Sequence, residues 1–407
     1  MICFQNDLLS KFVNMKCIHR SSGLILAAIF LSVMLCFSYP VLSQEQDKTG
    51  KKKLKELIKD TLDGKLDLSE FVLKANGFVP VMMIITEPAL GGFGVAAAPL
   101  FISPRKEEPN RKGYTPPDIT AGVGLLTANG SWAVGGGRMG SFPKAGVKYR
   151  IGAAYADINL DFYRTIADGG EKKYSFNFEM LPVFVSISKE IPKTDLYAGL
   201  QYMFAHTVVK PRFSGDLPDF ITSKEMVSNI GTLGFFLDWD KRNSIFTPDK
   251  GLRVNLLYTM DDNWTGSDFN YQKMNELVNW FFPIRDNWIS GLRLEGHHVF
   301  QDPPFYLLPS IMLRGIPAMR YQGQTTLVAE TEQRFDLTGR WSLVGFLGYG
   351  KTFVNDYSFL KAANVYNYGG GFRYQIARAF RVRAGIDVAK GPDSWGWYIV
   401  FGHNWNR

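Results

Sequence analysis

The sequence predicts an all-β protein, a transmembrane antiparallel β-barrel of 16 strands. Three observations carry that expectation. From about residue 80 onward, segments of roughly ten residues alternate apolar and polar side chains and are separated by turn residues. Apart from residues 23–38, no run is long and apolar enough to cross a bilayer as a helix. The last segment, Trp395–Trp405, carries Trp395, Trp397, Ile399, Phe401 and Trp405 on alternate positions, and tryptophan favours the membrane interface.

Composition agrees. The chain has 407 residues, 40 of them glycine, with 14% aromatics, which fits a β-rich protein rather than a helical one. The three cysteines, Cys3, Cys17 and Cys36, all fall in the first 36 residues. A mature chain without that region needs no disulfide and has no thiol nucleophile or cysteine metal site. The formal charge is +8, of which Lys11, Lys16 and Arg20 against Asp7 give +2 in residues 1–43, leaving +6. That surplus is too mild to mark nucleic-acid binding.

In chain order, Lys16 and Arg20 precede the apolar run Leu24–Ser38, which ends near Val41-Leu42-Ser43. This order of charge, apolar run and small residues reads as a secretory signal peptide over residues 1–43. Met15 serves as well as Met1 for the start; an uncleaved N-terminal anchor is the competing reading. Residues 44–80 read as a periplasmic segment. Within it Leu54, Leu57, Ile58 and Leu62 recur at helical spacing among lysines, predicting a short amphipathic helix over 51–62. Asp63–Phe71 looks like the back half of an EF-hand, but Lys59 stands at a front ligand position and lysine cannot ligate calcium.

Residues 81–407 read as the barrel. The expected strands are 92–102, 118–127, 131–142, 147–157, 158–166, 171–190, 193–210, 227–241, 250–263, 268–283, 286–300, 324–338, 341–354, 365–377, 379–390 and 395–405. In Asn364–Ile376, Tyr366, Tyr368, Phe372 and Tyr374 oppose Asn367, Arg373 and Gln375. In Phe380–Val388, Ile386 and Val388 share a face opposite Arg381, Arg383 and Asp387. A one-residue slip would exchange those faces, so the alternation fixes each strand's orientation. Between the eleventh and twelfth strands lies a loop, residues 301–323, long for a hairpin connection.

That loop contains Leu313-Arg314-Gly315-Ile316, which resembles the V/I-R-G-F/Y signature of the BamA/TamA family, also called the bacterial surface antigen family. Asp240-Lys-Arg242-Asn through Pro248-Asp-Lys-Gly251 resembles that family's D-x-R-D/N…P-x-x-G turn. Glu332-Gln-Arg334-Phe335 followed by Leu343–Gly350 resembles its E-x-R…F-x-D-x-G strand pair. The resemblance implies an outer-membrane protein of a Gram-negative bacterium with a cleaved signal. Its arginine would be held by acids on the inner wall, here Glu332 or Glu330, with Gly315 at the tip. The family's second acidic position is Gly348. The periplasmic POTRA domains that normally precede the barrel are not evident, so the chain reads as a barrel-only member.

The resemblance further implies insertion and assembly of outer-membrane proteins, or polypeptide translocation. It implies a weakly paired lateral seam, expected between 92–102 and 395–405, where Gly91, Gly92 and Gly94 either weaken pairing or mark a bend. Trp397, Phe401 and Trp405 would form the C-terminal insertion signal. The alternative is a passive pore or lipid conduit plugged by the inward-folded loop. Expected partners are outer-membrane lipids and unfolded outer-membrane proteins or a periplasmic protein; no nucleic acid, metal or cofactor is expected. Catalysis is not expected either, since beyond residue 43 the histidines are His206, His297, His298 and His403, and no nucleophile elbow or metalloprotease motif is present.

Overall fold

The computed structural model describes residues 58–74, 78–103, 118–165, 171–353 and 362–405. The expected signal peptide and residues 51–57 of the expected helix lie outside them. Residues 58–62 form a turn closed by the antiparallel bridge Lys59–Leu66, not a helix. The one α-helix among the described residues comes later, α1 at Ser69–Lys74.

Sixteen strands follow: β1 (Phe78–Ile85), β2 (Gly94–Ser103), β3 (Asp118–Thr127), β4 (Trp132–Phe142), β5 (Val147–Thr165), β6 (Glu171–Ile191), β7 (Leu196–Pro211), β8 (Val227–Asp240), β9 (Gly251–Asp261), β10 (Tyr271–Arg285), β11 (Trp288–Phe300), β12 (Thr325–Asp336), β13 (Trp341–Phe353), β14 (Ala363–Ala377), β15 (Val382–Lys390) and β16 (Trp395–Phe401). Each pairs antiparallel with the next in one sheet ordered β1 to β16. Cα atoms of β1 and β16 come within 8 Å, but no ladder register joins these strands among the described residues. The barrel is therefore nearly closed.

The expected number of strands is right through two compensating differences. Residues 147–157 and 158–166 are one long strand, β5, because no turn residue interrupts the pairing with β6 from Val147↔Lys189 to Thr165↔Glu171. The first strand, β1, precedes the expected one. Its sequence FVPVMMII is continuously apolar and shows no alternation to read. The edge facing β16 thus belongs to β1, not to residues 92–102. Gly91 and Gly92 lie in the β1–β2 turn with positive φ, and so mark a bend rather than a weakened edge.

The sheet is polar inside and apolar outside. Leu343, Leu347, Tyr366, Tyr368, Ile386 and Val388 are exposed on the outer face, while Asn367, Arg373, Arg383 and Asp387 are buried on the inner one. A water-soluble sandwich would have the opposite arrangement; an outward apolar band is what lipid requires.

Up-and-down order puts the start of β1 and the end of β16 at one end of the barrel, together with the β8–β9, β12–β13 and β14–β15 turns. The 301–324 connection lies at the other, loop end. At the terminal end the N-terminal segment docks on two turns. Arg340, 1% exposed in its side chain, takes Asp60, Asp63 (2.8 Å) and Asp67 (2.6 Å). Arg378 joins Asp63 at 2.9 Å, Leu68 N–H donates to Ile376 O at 2.7 Å, and Ala379 N–H donates to Ser69 Oγ at 3.0 Å. The acids that look like part of a calcium loop hold arginines instead. Arg340 lowers the Asp63 carboxyl well below its ordinary value, with help from the Lys65 backbone amide. For Asp67 burial opposes the charged form, but hydrogen bonds from Ser69, Arg340 and Arg378 outweigh it and the carboxyl is also lowered.

Candidate functional site: a loop locked into the barrel lumen

The connection between β11 and β12 folds back on itself. A short 3-10 turn at Phe305–Leu307 opens it, and the bridge Ser310–Gln322 makes its neck, flanked by Ile311 N–H to Tyr321 O (3.0 Å) and Gly323 N–H to Pro309 O (3.0 Å). At the loop end Phe305 and Tyr306 are buried in an aromatic cluster with Phe162, Phe176 and Phe178, supplied by the long strands β5 and β6. The ring centroids of Phe305 lie 5.0 Å from Phe162 and 5.1 Å from Phe176.

The tip is the turn Leu313-Arg314-Gly315-Ile316, closed by Ile316 N–H to Leu313 O at 3.2 Å. Gly315 has φ +82°, the left-handed value a type II turn needs at its third residue. The wall holds the tip on both sides. Tyr398 Oη accepts from Gly315 N–H at 2.7 Å, Ser394 Oγ donates to Gly315 O at 2.8 Å, and Asn367 Nδ2 donates to Arg314 O at 2.9 Å. Ile311, Leu313 and Ile316 pack with Val328 and Val365 as a dry patch beneath it.

Arg314 is 2% exposed. Its Nε and Nη2 donate to Glu330 Oε1 at 3.2 and 2.8 Å. Its Nη1 donates to Glu332 at 2.8 Å and to Asp387 at 2.6 Å. The guanidinium lies over the Phe346 ring, 3.4 Å from the centroid. Two further arginines balance the acids. Arg293 reaches Glu330 Oε2 at 3.1 Å and Met312 O at 2.9 Å, and pairs with Glu295. Arg373 reaches Asp387 Oδ2 at 2.9 Å. Four carboxylates, Glu295, Glu330, Glu332 and Asp387, and three guanidiniums thus meet in the lumen. Planar guanidinium forks satisfy several acceptors at once, which a lysine cannot do.

Asp387, Arg293 and Arg373 are the members that the loop motif alone did not suggest. Asp387 and Arg373 were legible as inward residues from strand alternation; what was missing was their position across from the loop tip. Gly348 has its own explanation. A methyl group there would come 2.2 Å from Asn367 Oδ1 and 2.7 Å from Leu313 Cδ2. Glycine at 348 leaves room for the loop, and the acid comes from β15 instead.

Trp405 requires a correction. It is not on the outer face with Trp397 and Phe401, which are 40% and 45% exposed, but is 2% exposed inside the barrel. β16 ends at Phe401, and Gly402, with φ +79°, turns the chain inward. The Trp405 indole N–H then donates to Glu330 Oε2 at 2.8 Å, completing the lock from the chain's last turn.

The 240–251 turn lies at the terminal end. Arg242 pairs with Asp240 at 2.7 Å and meets His403 Nε2 at 3.1 Å. Pro248 O accepts from Arg334 at 3.5 Å, and Arg334 also pairs with Asp249. Gly251 has φ +113°, with Lys241 O 2.3 Å from where a methyl group would stand. This turn packs against the inward tail around His403, with Phe246 O beside Gly402.

Sixteen antiparallel strands, an apolar outer face and a long connection locked into the lumen by an arginine define a transmembrane-type β-barrel with an inward-folded loop. No family model matches the sequence, and no curated protein sequence matches it. Solved structures do. The chain is similar to BamA from Haemophilus ducreyi lacking POTRA domains 1–3, with TM-score 0.53 and 13% identity over 86% of this chain and 81% of that one. It is similar to CdiB from Escherichia coli, with TM-score 0.56 and 10% identity over 79% of this chain and 62% of that one. At such identities the likeness is one of fold.

Proposed function

We propose that this chain is an outer-membrane barrel that assists insertion of other barrel proteins or passage of polypeptides, without catalysing a covalent reaction. The observation that carries the reading is the Arg314 lock. It holds the tip of a 24-residue connection, 301–324, in the lumen through the three carboxylates of Glu330, Glu332 and Asp387. A filled lumen argues against a wide diffusive pore. It leaves the boundary between β1 and β16, which lacks a shared ladder among the described residues, as the place where a client strand would pair. An added strand there would gain main-chain hydrogen bonds on an exposed edge.

The test uses the purified chain in liposomes with an unfolded outer-membrane barrel as client. The reading expects faster client folding than with empty liposomes, and loss of that acceleration in Arg314→Ala. No acceleration by the wild-type chain would overturn it and favour a plugged pore or lipid conduit. Conductance with and without residues 301–324 would then be recorded.

A further inference from the structure

Glu276 stands on the outer wall. In β10 it shares a face with Trp280, 47% exposed, opposite Asn279, which is fully buried. Its carboxylate lies over Gly296 of β11. A methyl group at Gly296 would stand 2.6 Å from Glu276 Oε2 and 3.6 Å from Leu327 Cδ2, and Leu327 is 46% exposed on the outer face. No hydrogen bond or ion pair reaches Glu276 among the described residues.

Its depth follows from the ladder. One continuous line of paired residues runs Lys189, Ala198, Leu237, Leu256, Glu276, Gly296, Leu327, Lys351, the last of them buried. Lys189 is near the terminal end of β6, and Lys351 is near the loop end of β13. The line climbs the tilted sheet from one rim to the other. Glu276 is about halfway along it, flanked by leucines, at the depth of the lipid chains. Carboxyl groups are expensive there and mark sites with a partner.

We propose that Glu276 is the polar centre of a lateral docking surface for the membrane-spanning part of another protein that presents a basic side chain at mid-depth. Charge complementarity selects the occupant. Lipid head groups lie too far away, at the rims. A two-fold contact with a second copy would set Glu276 against Glu276, like against like. Beside it an apolar depression of about 540 Å³, lined by Leu200, Phe235, Leu237, Leu256, Tyr258 and Met274, gives shape to the same face. The missing side chain at Gly296 leaves the room that the Glu276 carboxylate occupies. The proposal rests on the membrane reading of the outer face, not on the lumenal lock.

The test places the full chain in liposomes with a labelled membrane-spanning alanine–leucine peptide carrying one central lysine, and with the same peptide carrying leucine there. Energy transfer reads association. The lysine peptide should associate at least tenfold more tightly, and Glu276→Leu should remove that preference. Glu276→Leu puts an apolar residue toward lipid, and heat-modifiable mobility on gels checks that it folds. Equal association of both peptides, or a preference surviving in Glu276→Leu, would overturn the proposal alone. Glu276-dependent self-association without peptide would overturn it in favour of a second copy. Failure of the wild-type chain to insert would overturn the membrane reading with it.

Discussion

Arg314 is worth most where it is hardest to replace. Removing it leaves Glu330 and Asp387 to Arg293 and Arg373 alone and takes from Glu332 the arginine that it pairs with. Breaking a buried ion pair costs about 3–5 kcal/mol, so Arg314→Ala should lower the temperature at which the barrel loses its heat-modifiable mobility by several degrees. Arg314→Lys keeps the charge but loses the fork and the stack on Phe346, and should fall between. An Arg314→Ala barrel as heat-stable as wild type would remove the lock's structural role. Gly348→Val should act on the same loop by sterics alone, pushing Leu313 off its seat and exposing 312–320 to added protease. Arg314, Gly315, Glu330 and Glu332 could be proposed from a short motif and from strand phase. Asp387 and Arg373 could be phased but not paired, because which inward residue meets which depends on the curvature of the sheet. Trp405 could not be placed, since alternation continues on paper through the point where Gly402 turns the chain.

At the scale of elements, the N-terminal segment and the β12–β13 turn form a pH-dependent clasp. Asp63 and Asp67 hold their charge to lower pH than free carboxylates, whose ordinary value is about 4. Their contribution is therefore full above that value and is lost as pH falls through the lowered ones. Limited proteolysis of residues 58–74 should be slow at pH 7 and at pH 5, and should accelerate progressively below about pH 4. Arg340→Ala should open the segment at neutral pH; a segment equally protected at pH 3 and pH 7 would remove the clasp. Neither the turn at 58–62 nor the clasp was legible beforehand. The apolar spacing over 51–62 reads as a helix, and the pull of Arg340 on the acids comes from a residue 273 positions beyond Asp67.

For the whole molecule, the sequence showed antiparallel strands and their inside and outside faces, because lipid enforces alternation on every strand with a wet side. It did not show β1, whose uniform apolar run lacks that contrast. The edges should also be the least protected part of the barrel. Among the described residues β1 and β16 have 8 and 7 residues and one ladder partner each, whereas β6 has 21 residues between two partners. Amide exchange in detergent should be fastest in β1 and β16 and slowest across β5 to β7. Protection of β1 equal to that of β6 would mean the seam is closed.

The lock also constrains the order of assembly. Its arginine comes from between β11 and β12, its acids from β12 and β15, and the indole that seals Glu330 from the turn after β16. Glu330 and Asp387 are also met from the strands beside them, by Arg293 of β11 and Arg373 of β14, whereas Glu332 depends on the arginine of the connection. A barrel that zipped from β1 upward would carry Glu332 without its arginine, and Glu330 and Asp387 with Arg293 and Arg373 alone, until the connection was seated. The final tryptophan docks on the wall, against Phe281, Gly291 and Glu330. Trp405 would therefore report the end of β16: its burial, followed by fluorescence, would mark the moment at which the tail has turned in against β10, β11 and β12.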